Sequence, residues 1–390
     1  MNSLIAILGL AFLVLVHEAG HFYTARLVGM RPRKFYVGFP PALVKLRRNG
    51  IEYGIGAIPL GGYVKIPGMH RPAPSDVDAH FGRALEEAPQ LHAPAERLKR
   101  LLAEGDFELA PGALIALQHA AQEAKLSDQV RKSLERGLTE LADGLGMDAY
   151  WRQPAWKKIF VIGAGPGTNL LFAILAFTLL LATGPGRGTT TVAELESGRP
   201  AQQAGLMEGD RIVAINGERV GYVAMLEQIN ESEGRPLRVT VERDGAAVTQ
   251  VVRPFRDTDG RYRIGFRPDF EPIAAHVAVW ESLRLTGVVT KEIGSVLARL
   301  VRGEGREEIS SPIGIVRGSS SALERGYETF FWVLGLISLS LALLNLLPLL
   351  PLDGGHIAFS IVEGVRGRSV GREVYERVSV VGIALVLTLF

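Results

Sequence analysis

Cysteine is absent from all 390 residues. Disulfides, thiolate metal ligands and cysteine nucleophiles are therefore excluded together, and any metal in this chain must take His, Asp or Glu. An excess of one charge sign is also missing. Lys and Arg number 43 against 41 Asp and Glu, a formal net charge of +2, so no bulk electrostatic attraction points to nucleic acid and none is expected as a partner. What the chain has in quantity is apolar: hydrophobic residues make up 47% and the mean hydropathy is +0.18. With 22% of residues charged, that apolar excess has to be concentrated in particular segments, and the length suits two or three compact units.

Three segments carry it. Leu4 to Val16 has no charge and continues through His17-Glu18-Ala19-Gly20-His21 to about Arg26. Ile159 to Leu181 and Phe330 to Leu352 are also uncharged. Each approaches the ~20 residues that cross ~30 Å of hydrocarbon. A fourth, Val378 to Phe390, is apolar but short and ends with the chain, which reads as a trimmed or incomplete span. The first segment lacks a basic leader and a small-residue cleavage site, so a retained helix is expected rather than a signal peptide. Arg26, Arg31, Arg33, Lys34, Lys45, Arg47 and Arg48 follow the first span, Lys157 and Lys158 precede the second, and Arg366, Arg368 and Arg372 follow the third. The positive-inside rule puts all three sets in the cytoplasm, the N-terminus outside, and the long region between the second and third spans outside as well.

His17 and His21 are four residues apart, so on a helix they share one face and can hold one zinc ion. Glu18 stands beside the first, placed to take a proton from a zinc-activated water and pass it to the leaving amine. Ionisable side chains within an apolar span are costly and point to function. A hydrolytic zinc site wants three protein ligands and one open position. Asp353, at the end of Asn345-Leu346-Leu347-Pro348-Leu349-Leu350-Pro351-Leu352-Asp353-Gly354-Gly355-His356, is the candidate third ligand, presented where two prolines interrupt the helix. His356 is its rival, although a tight Gly354-Gly355 turn is expected to aim that imidazole elsewhere. An Asp353 that merely caps a helix is the bland alternative.

On these residues the chain resembles the bacterial site-2 protease family, intramembrane zinc metalloproteases that include the regulator of sigma-E protease. The resemblance covers Val16 to Arg26, Lys34 to Gly68, Trp156 to Leu180 and most of Ser310 to Ile361. It implies His17, His21 and Asp353 as zinc ligands and Glu18 as the catalytic base. Leu350 stands where the family's motif usually has its second proline, and Pro351 follows one place later; the Asn-to-Asp spacing is intact. Gly165-Pro166-Gly167-Thr168-Asn169 matches a family segment in the second span. By resemblance Asn169 and Asn345 would hold the substrate strand or stabilise the oxyanion; the plain alternative is that each bonds neighbouring helices.

Phe35 to Phe39 and Glu52 to Ile66 look like short strands punctuated by Gly and Pro. The family's counterpart dips into the membrane beside the zinc, where its edge could pair with an unwound substrate; a plain cytoplasmic hairpin is the alternative. Between Met69 and Ala149 the resemblance fails, and helical patterns at Pro94–Glu104, Pro111–Leu126 and Ser127–Ala142 suggest a small bundle to which we assign no function. Its His70, His80, His92 and His119 lack ligand spacing and read as surface residues. Thr189 to about Arg267 alternates apolar and polar residues, with turn signals at Asn216-Gly217 and Asp244-Gly245. Ser197 to Leu206 with Gly209 to Ile212 resembles a PDZ domain of the bacterial protease type, with Tyr222 to Glu231 as the helix beside its groove. Such a domain binds a peptide C-terminus or extended segment by strand addition, or its groove is blocked and it only limits access. Trp280 to Val301 is amphipathic and suits either the outer membrane surface or packing on the PDZ unit. Ser311-Pro312-Ile313-Gly314-Ile315 also resembles a family segment.

The expected fold is thus a multi-span α-helical membrane protein of about four transmembrane helices. It carries a membrane-associated β segment, a cytoplasmic helical insertion and an extracytoplasmic PDZ domain. The expected divisions are 1–28 (first span), 33–68 (β segment), 69–150 (insertion), 156–183 (second span), 189–268 (PDZ), 275–328 (helical, amphipathic), 329–361 (third span) and 376–390 (fourth). The expected activity is zinc-dependent hydrolysis of a peptide bond in or near the span of a membrane protein in the bacterial inner membrane, with the active site towards the cytoplasm. The substrate would be a single-pass protein already trimmed by another protease, such as an anti-sigma factor. The alternative is a membrane scaffold with a PDZ recruitment domain and a non-catalytic metal site. Glu18 argues against it, because a structural zinc needs no base.

Overall fold

The computed structural model describes residues 2–184, 186–257, 260–271, 273–302, 312–367, 370 and 372–389. The chain forms two units, one of Met1–Ile174 with Leu285–Phe390 and one of Leu175–Arg284. In the first, α1 (Asn2–Leu27) runs without a charge until Glu18. Its Ala6 and Leu13 are buried with Phe330 and Leu334, so the early turns pack on a helix more than 300 residues away in sequence.

The first strand of the hairpin that follows is longer than the Phe35–Phe39 expected, and the second matches its expected length. β1 (Lys34–Arg48) and β2 (Ile51–Lys65) turn at Asn49-Gly50, both at positive φ, as a two-residue hairpin loop requires. Lys34–Val37 pairs with Glu52–Ile55 on one side and with Gly62–Lys65 on the other, while Ala42–Arg48 pairs with Ile51–Gly56. Pro40-Pro41 and Gly61-Gly62 interrupt the pairing, since proline donates no ladder hydrogen bond, and each strand doubles back there. Gly62–Lys65 forms one edge of the resulting small sheet. Phe39, Leu43, Val44, Leu46, Ile55 and Ile58 are exposed on it, an apolar surface that suits lipid better than water.

Helices α2 (Pro74–Glu87), α3 (His92–Glu104), α4 (Ala110–Glu123) and α5 (Asp128–Leu145) bury one face each. Ala95, Leu98 and Leu102 on α3 meet Leu114 and Leu117 on α4 and Leu134, Leu138 and Leu141 on α5 in one core. The three- and four-residue spacings place these side chains on a single helical stripe. Arg33 ties the bundle to β1, with Nε 2.7 Å from Asp143 and a second nitrogen 3.0 Å from Asp148. Of the histidines in this region, His70, His92 and His119 are exposed and His80 lies 3.4 Å from Glu140.

α6 (Ala155–Thr183) contains Pro166. Proline supplies no N–H to the carbonyl four residues earlier, so the ladder is interrupted at Ile162, next to Val161. Thr168 bridges the helices here, its hydroxyl donating to Gly165 O at 2.8 Å and to Val16 O on α1 at 3.0 Å.

The second unit holds β3 (Arg187–Leu195), a helical turn α7 (Pro200–Gln203), β4 (Arg211–Ile215), β5 (Glu218–Arg219), α8 (Tyr222–Glu231), β6 (Leu237–Arg243), β7 (Ala246–Val252), β8 (Phe255–Arg256), β9 (Tyr262–Arg263) and β10 (Phe266–Glu271). The sheet order is β10-β3-β4-β6-β7, with β5 against β4. Asn216-Gly217 and Asp244-Gly245 are two-residue turns at positive φ. Val192, Ile212, Ile215, Met225, Val239 and Val241 are buried between sheet and α8. Asp210, only 1% exposed, accepts two hydrogen bonds from Arg243, each 2.7 Å, and the guanidinium holds its carboxyl below the usual carboxylate range.

α9 (Ala275–Val301) exposes Val277, Trp280, Leu283 and Val288. Residues 303–311, which include part of the expected 275–328 region and Ser311, lie outside the described residues. α10 (Pro312–Glu324) and α11 (Tyr327–Asn345) follow. α11 ends at Asn345, ahead of Pro348 and Pro351, where the helix is expected to break. α12 (Asp353–Arg366) and α13 (Arg372–Leu389) close the chain. Among the described residues, α1, α6 and α11 are the helices long and apolar enough to cross a membrane; α13 opens with Arg372, Glu373, Glu376 and Arg377.

Candidate metal centre

His17 and His21 are one turn apart on α1, and both rings point from the same face towards Asp353 at the start of α12. His17 Nε2 lies 3.2 Å and His21 Nε2 3.4 Å from the same oxygen, Asp353 Oδ2, and the two ring nitrogens are 3.3 Å apart. These three are the one group of His, Asp or Glu donors among the described residues close enough together to hold an ion. Two donors about 2.0–2.1 Å from a tetrahedral zinc are separated by about 3.3–3.4 Å, so the triangle has the size that zinc demands. Asp353 Oδ2 is buried without a hydrogen-bond donor in good geometry, which an ion among the three would satisfy. A buried acceptor left unpaired costs about 1–3 kcal/mol, more if charged. The donor set fits zinc.

The backbone around Asp353 differs from the expected glycine turn. Gly354 and Gly355 belong to the first turn of α12, and their use is steric. A β-carbon on Gly354 would collide with the carbonyls of Leu346 and Leu347, and one on Gly355 would sit 2.5 Å from Leu350 N. The two glycines let the chain from α11 cross over the end of α12 and so bring Asp353 to the histidines. His356, one turn further, leaves the cluster and packs on Tyr375, their ring centroids 5.4 Å apart. Lys158 on α6 braces α12 through Glu363 at 2.9 Å.

Several contributions have no side-chain signature in the sequence. The Val161 carbonyl on α6 accepts from His21 Nδ1 at 2.9 Å, which orients that ring and leaves Nε2 free to ligate. A β-carbon at Gly165 would run into the His21 ring, and at Gly20 it would sit 2.5 Å from Ala164 O, so α1 and α6 touch through glycines. On the other side, a β-carbon at Gly62 would come within 2.8 Å of Glu18 Cγ. The Gly62–Lys65 edge therefore runs past the Glu18 side chain, and the Val64 backbone hydrogen-bonds its carboxylate. Asn169 is fully buried and stands 3.4 Å from His17 Nδ1, and its backbone carbonyl accepts from Ser338 Oγ on α11 at 2.9 Å. Asn345, the last residue of α11, is half-buried and makes no hydrogen bond to the cluster among the described residues.

Two histidines one turn apart on the membrane-length α1, an aspartate at the start of the shorter α12 and a glutamate alongside make a donor set that suits a zinc hydrolase. Residues 5–389 match the sequence model of Peptidase family M50, and the chain belongs to that family. It is similar to the zinc metalloprotease RasP of Geobacillus kaustophilus, 28% identical over 400 residues covering 97% of this chain and 93% of that one. It is also similar to the regulator of sigma-W protease RasP of Bacillus subtilis, 28% identical over 413 residues, with 100% and 96% covered. The chain is thus an intramembrane zinc metalloprotease of the site-2 type, and zinc is its metal.

Proposed function

We propose that His17, His21 and Asp353 hold the zinc, that Glu18 is the catalytic base, and that the chain cuts a peptide bond in or near the membrane-spanning segment of a single-pass membrane protein. The observation that carries this reading is the triangle of donors 3.2–3.4 Å on a side, assembled from helices at opposite ends of the chain. When bound, the metal polarises the scissile carbonyl and acidifies a water to a pKa near ~7. Glu18 would take the proton of the attacking water and return it to the leaving nitrogen. The Gly62–Lys65 edge takes the unwound substrate as an added strand, which fixes the peptide's direction and carries the scissile bond past Glu18. A strand is needed because the bonds of a helix are shielded by their own turns.

Basic residues flanking α1, α6 and α12 support a cytoplasmic position for the insertion bundle and the metal end of the spans. The second unit would then lie outside. Its sheet order, the position of β10 at one end of the sheet and the neighbouring α8 support a PDZ-type domain that screens substrates by their trimmed ends. Tyr222 sits over Gly188, with its ring 6.1 Å from that of Phe270 on β10, so a peptide added to β10 has to displace or stack on Tyr222. By the name of the Bacillus subtilis relative, a regulator of sigma-W, the substrate class we favour is a membrane-bound anti-sigma factor.

The test is cleavage of a single-pass reporter in liposomes by the parent protein and by Glu18→Gln. The reading predicts about 10²–10⁴-fold slower cutting by the variant at unchanged zinc content. Equal cutting by both proteins would remove Glu18 from the mechanism.

A further inference from the structure

Asn169 is matched by resemblance to a substrate-binding role, but its surroundings in the fold point elsewhere. Its side chain is fully buried, and its amide nitrogen lies 3.4 Å from His17 Nδ1, on the side of the ring away from Asp353. The carbonyl oxygen of the same amide is buried with no hydrogen-bond partner. The other imidazole has a clear arrangement: His21 Nδ1 donates to the Val161 carbonyl on α6, so in the neutral ring Nε2 carries no proton and offers a lone pair on Asp353's side. His17 can ligate only in the same form, with the proton on Nδ1 and Nε2 bare. An amide nitrogen cannot accept that proton's hydrogen bond; an amide oxygen can. The two ends of an Asn side chain have nearly the same shape, and which one faces a neighbour is decided by the hydrogen-bond network.

We propose that Asn169 is a positioning residue for the metal centre: its Oδ1 accepts from His17 Nδ1–H and holds that imidazole as a neutral Nε2 ligand. Rotation of the amide by half a turn gives the orphaned oxygen a partner and makes the two histidines equivalent, each oriented by an acceptor on α6. The backbone of Asn169 is itself fixed to α11 through Ser338, so the acceptor is rigidly placed. In this role α6 contributes no ligand and sets the direction of both imidazoles, four residues apart on α1, from Val161 and Asn169, eight residues apart on α6. The inference rests on zinc being held by His17, His21 and Asp353.

The experiment is zinc affinity by chelator competition on the full-length protein in detergent, for the parent, Asn169→Asp and Asn169→Leu. Visible spectra of the cobalt-substituted forms report the ligand field. Loss of such an outer hydrogen bond weakens metal binding about 10–100-fold, and that is the expected result for Asn169→Leu. Asn169→Asp keeps an acceptor and loses the donor, so it is expected to bind zinc at least as tightly as the parent, with a cobalt spectrum of the same shape. Weak zinc binding by Asn169→Asp would overturn the proposal even if the leucine variant does not fold, because it would mean that the amide acts as a donor. Normal zinc affinity in Asn169→Leu with a raised KM would overturn it in favour of a substrate contact. A parent protein that binds no zinc fails the ligand assignment itself, a separate outcome from either pattern among the variants.

Discussion

Replacing Gly20 by Ala should weaken the metal centre although no ligand is touched. The added carbon would lie 2.5 Å from Ala164 O and 2.7 Å from Thr168 Oγ1, where an ordinary contact begins near ~3.5 Å. The shortfall is roughly 1 Å, and the nearer obstacle is a helix carbonyl that cannot rotate aside. α1 and α6 must separate by much of that distance, one residue from His21 and across the contact that supplies the Val161 carbonyl. Metal–ligand distances tolerate only about 0.2 Å. Overpacking of this kind costs about 1–3 kcal/mol; felt at the site at about 1.4 kcal/mol per decade, it corresponds to zinc binding weakened roughly five- to more than hundredfold. Chelator competition on the purified protein measures it, with Gly167→Ala as the control, since a β-carbon there meets nothing within 4 Å. If Gly20→Ala holds zinc as tightly as the control, the close approach of the helices is not what sets the ligand geometry.

Two further outcomes test other parts of the molecule. A single cysteine at Leu43, introduced into a chain that has none and labelled with a polarity-sensitive dye, should be quenched by lipid-borne quenchers in liposomes and shielded from aqueous iodide; the reverse would place the exposed apolar hairpin in water. Asp210→Asn should accelerate amide exchange of β4 and β6 at neutral pH. Because Arg243 depresses the native pKa of Asp210, its stabilisation is complete above the ordinary Asp value near ~3.9 and lost as pH falls through the lower native value, so parent and variant should converge in strong acid. A constant difference across that range would remove the ion pair from the explanation.

The parts of this protein that were legible in its sequence are those written in periodicity and spacing. The four-residue interval from His17 to His21 needs only a helix to become half a metal site, and the helical patterns at Pro94–Glu104 and Pro111–Leu126 announce the insertion bundle. Asn216-Gly217 and Asp244-Gly245 specify their turns because few other dipeptides accept positive φ twice running. What stayed hidden depends on backbone groups and on fit between distant segments. A carbonyl such as Val161 O has no residue signature. The glycines at 354 and 355 read as a turn, whereas they are helical residues kept small so that Leu346–Leu350 can cross over them. The doubling of β1 between the halves of β2 could not be read from alternation, since both halves carry similar apolar residues. Membrane length was legible for α1, α6 and α11, and the last apolar stretch reads less clearly because α13 begins with four charged side chains.

X-ray absorption at the zinc edge of the purified, full-length protein is the most direct measurement of whether two remote stretches of chain enclose one ion. The account predicts one zinc per chain, bound only by light atoms near ~2.0–2.1 Å, with the outer-shell signal of two imidazoles that falls to one in His17→Ala. Three or more imidazoles, or a spectrum unchanged when Asp353 is replaced by Ala, would contradict it.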